Sequence, residues 1–220
     1  MHFEILIEDK SGEAALEILV PKIIEHHTCN VHGYKGLGHI PKGLKSNSDP
    51  KKRIMLDRLP GLIKGYGNTF SAYPNYSFAL IIVCDLDDRC LKVFREELFS
   101  CLDKCNPKPP TYFCVAIEEV EAWYLGDLEA VKKAHPNAKS SILNTYVNDS
   151  ICGTWEKLAD AVFPGGSAKL SKHSAQVGEA KSAWAKEICP HMNVNENSSP
   201  SFCYFRDKLR HLIECSDIPT

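Results

Sequence analysis

Hydrophobic positions in this chain alternate between short unbroken runs and helical stripes. Phe3–Ile7 is apolar-rich and ends in Glu8 and Asp9, which predicts a first strand with an acidic end. Ser11 is the expected N-cap of a helix, with Ala14, Ala15, Ile18, Leu19 and Ile23 at helical spacing up to His26 and His27. Cys29–Gly33 predicts a second strand, and the glycine- and lysine-rich stretch from Gly33 to Lys45 a loop. A second helix is expected from Pro50, with Ile54, Met55, Leu59, Leu62 and Ile63 on one face.

The stretch Phe78–Asp88, FALIIVCDLDD, runs from apolar residues straight into Asp85, Asp87 and Asp88. A short, continuous apolar run reads as a strand buried on both faces, as in a parallel sheet. Arg89–Cys105 is amphipathic and predicts a helix; after the proline-rich break at Asn106–Pro110, Tyr112–Ile117 predicts another strand. Strands alternating with helices indicate βαβ units and an α/β fold with a largely parallel sheet. From Glu118 onward the pattern is helical: Glu118–Tyr124, Leu128–Ala134, Thr154–Val162, Ser174–Ile188 and Ser201–Ile213. The expected organisation is an α/β core over residues 1–125 and a helical C-terminal part over 126–220, packed as one domain.

Net charge is −2, so global charge favours neither a polyanion nor a membrane surface, and a nucleic-acid contact needs a local basic patch or metal ions. No apolar stretch approaches the roughly 20 residues that span a bilayer. The N-terminus enters a strand without a basic, cleavable leader, so a cytoplasmic location is expected. The ten cysteines include no CxxC pair and several lie in apolar runs, so reduced, buried thiols are the expectation.

Carboxylates fall at three predicted strand ends: Glu8 with Asp9, then Asp85, Asp87 and Asp88, then Glu118, Glu119 and Glu121. Parallel neighbouring strands would bring them to one sheet edge, where open α/β folds bind ligands. Crowded carboxylates call for a cation, and oxygen donors suit a hard divalent ion, Mg²⁺ or Mn²⁺. Asp85 and Asp87 would share a side if the strand continued through them. Glu118 and Glu121 would be helical neighbours if a helix began at once. First-turn charges favouring a helix dipole are the competing reading for Glu118 and Glu119, and the preferred one for Asp88. Lys35, Lys42 and Lys45 in the glycine-rich loop, and Lys169 near Gly165–Gly166, are candidates for phosphate contact; a solvated loop is the alternative.

Glu8 at the first strand end, with Asp85-Leu86-Asp87 at a later one, resembles the Toprim domain of topoisomerases, primases and overcoming-lysogenization-defect-type nucleases. LIEDKSGEAAL, VCDLDD, VAIEEVEAWYLGD and SPSFCYFRDKL resemble more closely domain-of-unknown-function family 4276, a Toprim-like bacterial family. One departure is that Toprim first strands often end Glu-Gly, whereas Asp9 follows Glu8 here and Gly12 comes later. The resemblance implies a metal-dependent nuclease in which Asp85 and Asp87 bind the ion and Glu8 is a further ligand or the general acid/base. It implies that Glu118 or Glu121 completes a second metal site. It further implies anti-phage defence beside a partner ATPase, with a homo-oligomer left open. The rival expectations are a catalytically idle Toprim-like interaction subunit of such an ATPase, and a metal-dependent enzyme acting on another phosphate substrate.

Overall fold

The structure, a computed structural model, describes residues 1–41, 43, 53–150, 153–170 and 175–216. Four strands, β1 (His2–Ile7), β2 (Thr28–Gly33), β3 (Phe78–Asp85) and β4 (Thr111–Ala116), form one sheet in the order β2-β1-β3-β4. All three pairings are parallel, with Ile7 opposite both Gly33 and Val83, and Asp85 opposite Ala116. The helices are α1 (Lys10–Ile24), α2 (Met55–Ser71), α3 (Leu91–Asp103), α4 (Glu121–Leu125), α5 (Leu128–Ala134), α6 (Ser140–Leu143), α7 (Thr154–Val162), α8 (Ala175–Ile188) and α9 (Pro200–Ser216). The α/β class with a parallel sheet flanked by helices is as the periodicity predicts, and the arrangement is consistent with a Toprim-like fold.

Side-chain alternation divides the strands between two layers. Phe3, Ile5, Ile7, Ile81 and Val83 pack with α1 and the C-terminal helices, in a cluster that includes Trp123, Trp184, Phe202 and Phe205. Leu6, Leu80, Ile82 and Cys84 pack with α2 and α3 through Leu59, Ile63, Phe94 and Leu98. Ala79 through Cys84 are therefore all fully buried, each large side chain contributing roughly 1.5–3 kcal/mol by leaving water. The C-terminal helices share a core with the sheet: Trp123 stacks on Phe205 with ring centroids 5.1 Å apart, and its Nε1 donates to Ser201 Oγ at 2.9 Å. The cysteines among the described residues are free thiols.

Helix starts differ from the sequence expectation where a side chain or the backbone intervenes. Asp9, not Ser11, caps α1: its Oδ1 accepts from the Gly12 amide and its Oδ2 from the Ser11 hydroxyl, both at 2.7 Å. Gly12 lies against Ile7, where a Cβ would meet Ile7 Cδ1 at 2.5 Å, so a side chain there would crowd the packing of α1 on β1. The third helix begins at Leu91 rather than Arg89, and Asp88 lies ahead of its Cys90 cap instead of starting it. The predicted helix from Glu118 begins only at Glu121, because Glu118 adopts a left-handed φ of 61° that a helix does not accommodate. The short α6 lies between the predicted helices Leu128–Ala134 and Thr154–Val162. The expected helix start at Pro50 lies outside the described residues, as does Lys45.

Candidate metal centre

The strand order reverses direction between β1 and β3: α1 leaves β1 on one face, while α2 and α3 cover the other. In open α/β sheets this switch point leaves a crevice beyond the carboxyl ends of the two strands. Glu8 directly follows β1 and Asp85 ends β3, so both lie at that crevice. The loop after β2 is tied to it as well, since the Gly36 amide donates to the Glu8 carbonyl at 2.9 Å. Gly33 permits this approach, because a Cβ there would come within 2.7 Å of the Asp9 carbonyl.

The Asp85-Leu86-Asp87 segment does not continue as strand. Leu86 still donates to Ala116 O and Asp87 to Glu118 O, each at 3.0 Å, but Asp87 turns into the left-handed region at φ 52°. The expected same-side placement of Asp85 and Asp87 in an extended segment is thus replaced by a bend anchored on buried Leu86. Asp87 faces Arg89, with Oδ2 3.8 Å from Nη2. The two aspartates remain part of one acidic edge, since Glu8 feels the charge of Asp87 and Asp85 that of Glu8.

Of the third acidic group, Glu118 is directed elsewhere. Its carboxylate accepts from the Gly153 and Thr154 amides, the latter at 2.6 Å, and so caps α7. Glu119 and Glu121 instead converge on Lys181 of α8, whose Nζ lies 3.0 Å from Glu119 Oε1 and 3.3 Å from Glu121 Oε2. Glu121 is 2% exposed and Lys181 9%, so this is a buried ion cluster. The expected helical pairing of Glu118 with Glu121 is therefore absent, and Glu119 takes its place. Lys181 carries a sequence signal that went unread: it stands on the α8 stripe formed by Val177, Trp184, Ala185 and Ile188, where a lysine needs a partner.

Electrostatics mark the edge as over-supplied with negative charge. Burial, reinforced by Asp87 and Asp9, pushes the Glu8 carboxyl up to about 7. Burial and then Glu8, Asp9 and Glu119 hold Asp85 well above the usual carboxylate range. Burial and Glu121 push Glu119 up to about 8. Burial alone would depress the Lys181 ammonium, but Glu121, Glu119 and Asp85 outweigh it and keep it charged. Glu8 Oε2 and Glu119 Oε2 are buried acceptors without a hydrogen-bond partner. Among the described residues no three His, Cys, Asp or Glu side chains stand at chelating spacing. The donor set of carboxylate oxygens, two of them orphaned, nonetheless fits a hard divalent cation, which would satisfy them and offset the repulsion.

A cleft of about 760 Å³ opens beside the acidic edge, lined by Asp9, Lys10, Tyr34 and Lys35 on one side and by Ser182 and Lys186 of α8 on the other. Lys35, a candidate for phosphate contact, is exposed on this cleft. Lys42 lies outside the described residues. Lys169 is not brought to the edge: its stem lies over Gly165, past the C-terminal end of α7. The Glu118 cap is at the opposite end of that helix, roughly 12 Å away. Compared with known proteins, the chain matches no family, no curated protein and no solved structure. Among the described residues no helix is long and apolar enough to cross a membrane.

Proposed function

We propose that this protein is a divalent-metal-dependent phosphodiesterase of Toprim type that cleaves nucleic acid, with Mg²⁺ or Mn²⁺ as its ion. The observation that carries the reading is the convergence of Glu8 and Asp85 at the β1/β3 switch point, with Glu8 Oε2 buried and unpartnered. Glu8, Asp85 and Asp87 would hold the ion, with Glu8 Oε2 as the buried acceptor that it would satisfy. A bound ion of this kind supplies Lewis-acid polarisation of phosphate oxygens and a more acidic water. If Glu8 does not itself bind the ion, it would be the general acid/base beside it. Lys35, which lines the cleft, would be the residue that meets a phosphate group flanking the scissile bond. Membership of family 4276, a partner ATPase and a role in phage defence rest on the sequence resemblance alone.

The test is incubation of the purified protein with labelled single- and double-stranded DNA and with RNA, in Mg²⁺, Mn²⁺ or EDTA. Cleavage that needs the ion and disappears in Asp85→Asn is the expected result. If the wild-type protein cuts none of these substrates, or the variant cuts as well as wild type, the nuclease reading is wrong.

A further inference from the structure

The buried lysine of α8 bears on how many cations the acidic edge accepts. We infer that Lys181 stands in the place of a second cation, so that the centre takes one divalent ion, on its Glu8–Asp85 side. This rests on the metal reading above and adds a stoichiometry and a role for Lys181 to it.

The carboxylates divide into two sets by origin. Glu8, Asp85 and Asp87 come from the ends of β1 and β3, whereas Glu119 and Glu121 come from the turn into α4. Centres with two ions hold them about 3.5–4 Å apart, so a second ion needs oxygen donors beyond those that hold the first. The second set is the one available for a second ion, and the Lys181 ammonium already lies 3.0 Å from Glu119 and 3.3 Å from Glu121.

Lys181 has little freedom to withdraw. It is almost fully buried, and α8 is packed along α1. Its neighbours on the inner stripe, Val177, Trp184 and Ala185, are apolar and buried. Moving the ammonium away from its carboxylates would place a charge in an apolar core, which is strongly unfavourable. A divalent ion added beside it would face a like charge at close range, in surroundings that screen poorly. Glu8 Oε2 and Glu119 Oε2 remain as buried acceptors that Lys181 does not satisfy. Lys181 is therefore a positioning residue: it fixes Glu119 and Glu121 and closes their side of the cluster to metal.

The test is calorimetric titration of the chelator-stripped full-length protein with MnCl₂, followed by electron paramagnetic resonance of the loaded protein. The expected stoichiometry is about one, with an uncoupled Mn²⁺ spectrum, where a two-ion centre would give about two and a spin-coupled spectrum. Lys181→Arg, which keeps the cation, should leave the stoichiometry unchanged. Lys181→Met should release the Glu119–Glu121 pair and double it. Two ions in the wild type would overturn the role of Lys181 while leaving the metal reading intact. No binding at all would overturn the metal reading and this inference with it. A folded Lys181→Met protein that still takes one ion would show that the lysine is not what excludes the second. If that variant does not fold, the wild-type and Lys181→Arg titrations decide.

Discussion

Replacing Glu118 separates a helix cap from a metal ligand. In the structure its two carboxylate oxygens accept the first amides of α7, from Gly153 and Thr154. Loss of an N-terminal cap removes about 1 kcal/mol, and loss of a negative charge at a helix N-terminus about a further 0.3–1 kcal/mol. Glu118→Ala should therefore destabilise the protein by about 2 kcal/mol. For a chain of this length that lowers Tm by about 4–8 °C. Glu118→Gln keeps one acceptor but turns an amide group toward the second N–H, so about half of the loss is expected. Urea denaturation supplies the free energies, and Mn²⁺ titration of the same samples shows whether the centre survives. Lost stability with unchanged Mn²⁺ stoichiometry and near-unchanged affinity is the expected outcome. It is refuted if Glu118→Ala melts within about 1 °C of wild type and yet no longer binds Mn²⁺, because the carboxylate would then belong to the ion and not to α7.

Asp85→Asn removes a carboxyl whose ionised form is disfavoured by burial and then by Glu8, Asp9 and Glu119, so in EDTA the variant should be more stable than wild type by about 1–2 kcal/mol, while Mn²⁺ no longer raises its Tm. An unchanged or lower urea midpoint in EDTA would count against the crowding described here. Trp123→Ala should cost about 3–5 kcal/mol, since it empties a fully buried site stacked on Phe205 and removes one of the hydrogen bonds to Ser201 Oγ; thermal unfolding is the readout. Glu4 accepts from His32 Nε2 and Asn30 Nδ2 at 2.8 Å and from Tyr66 Oη at 3.1 Å. Burial pushes its carboxyl up, but the bonds from Asn30, His32 and His2 outweigh this and hold it below its ordinary value. Its contribution is then present above the unfolded value near 4.5 and lost as pH falls through the lower folded one. Glu4→Gln should accordingly be less stable by about 1–2 kcal/mol at pH 7 and match wild type in acid, with urea midpoints across pH as the measure. A difference that does not vary with pH would remove the basis for that assignment.

The layers of this fold were legible because burial writes itself into short runs. FALIIVC can satisfy two apolar faces only as an interior strand, and β3 does so. Leu128–Ala134 and Thr154–Val162 coincide with the predicted helices because their apolar spacing and flanking breaks agree. The acidic ends of β1 and β3 followed from parallel order alone. What periodicity could not convey was backbone conformation at single residues. Asp87 and Glu118 both take positive φ, which redirects two side chains that an extended segment or an immediate helix would have aimed elsewhere. Long-range pairing was also hidden: Glu118 finds its partners at Gly153 and Thr154, and Lys181 reaches Glu119 and Glu121 from another helix. Lys169 looked equivalent to Lys35 by composition, yet the length of α7 separates it from the edge.

The distance in sequence between Lys181 and its carboxylates also sets an order of events during synthesis. Lys181 trails Glu121 by about 60 residues. At roughly 5–20 residues per second, a ribosome takes several seconds to deliver them. Until α8 emerges and docks on α1, Glu119 and Glu121 have no ammonium between them, and the acidic edge lacks its internal counter-charge. A nascent chain therefore carries the carboxylates of the acidic edge before it carries the lysine that pairs with two of them. The buried ion cluster is completed only once α8 has been made and has docked on α1.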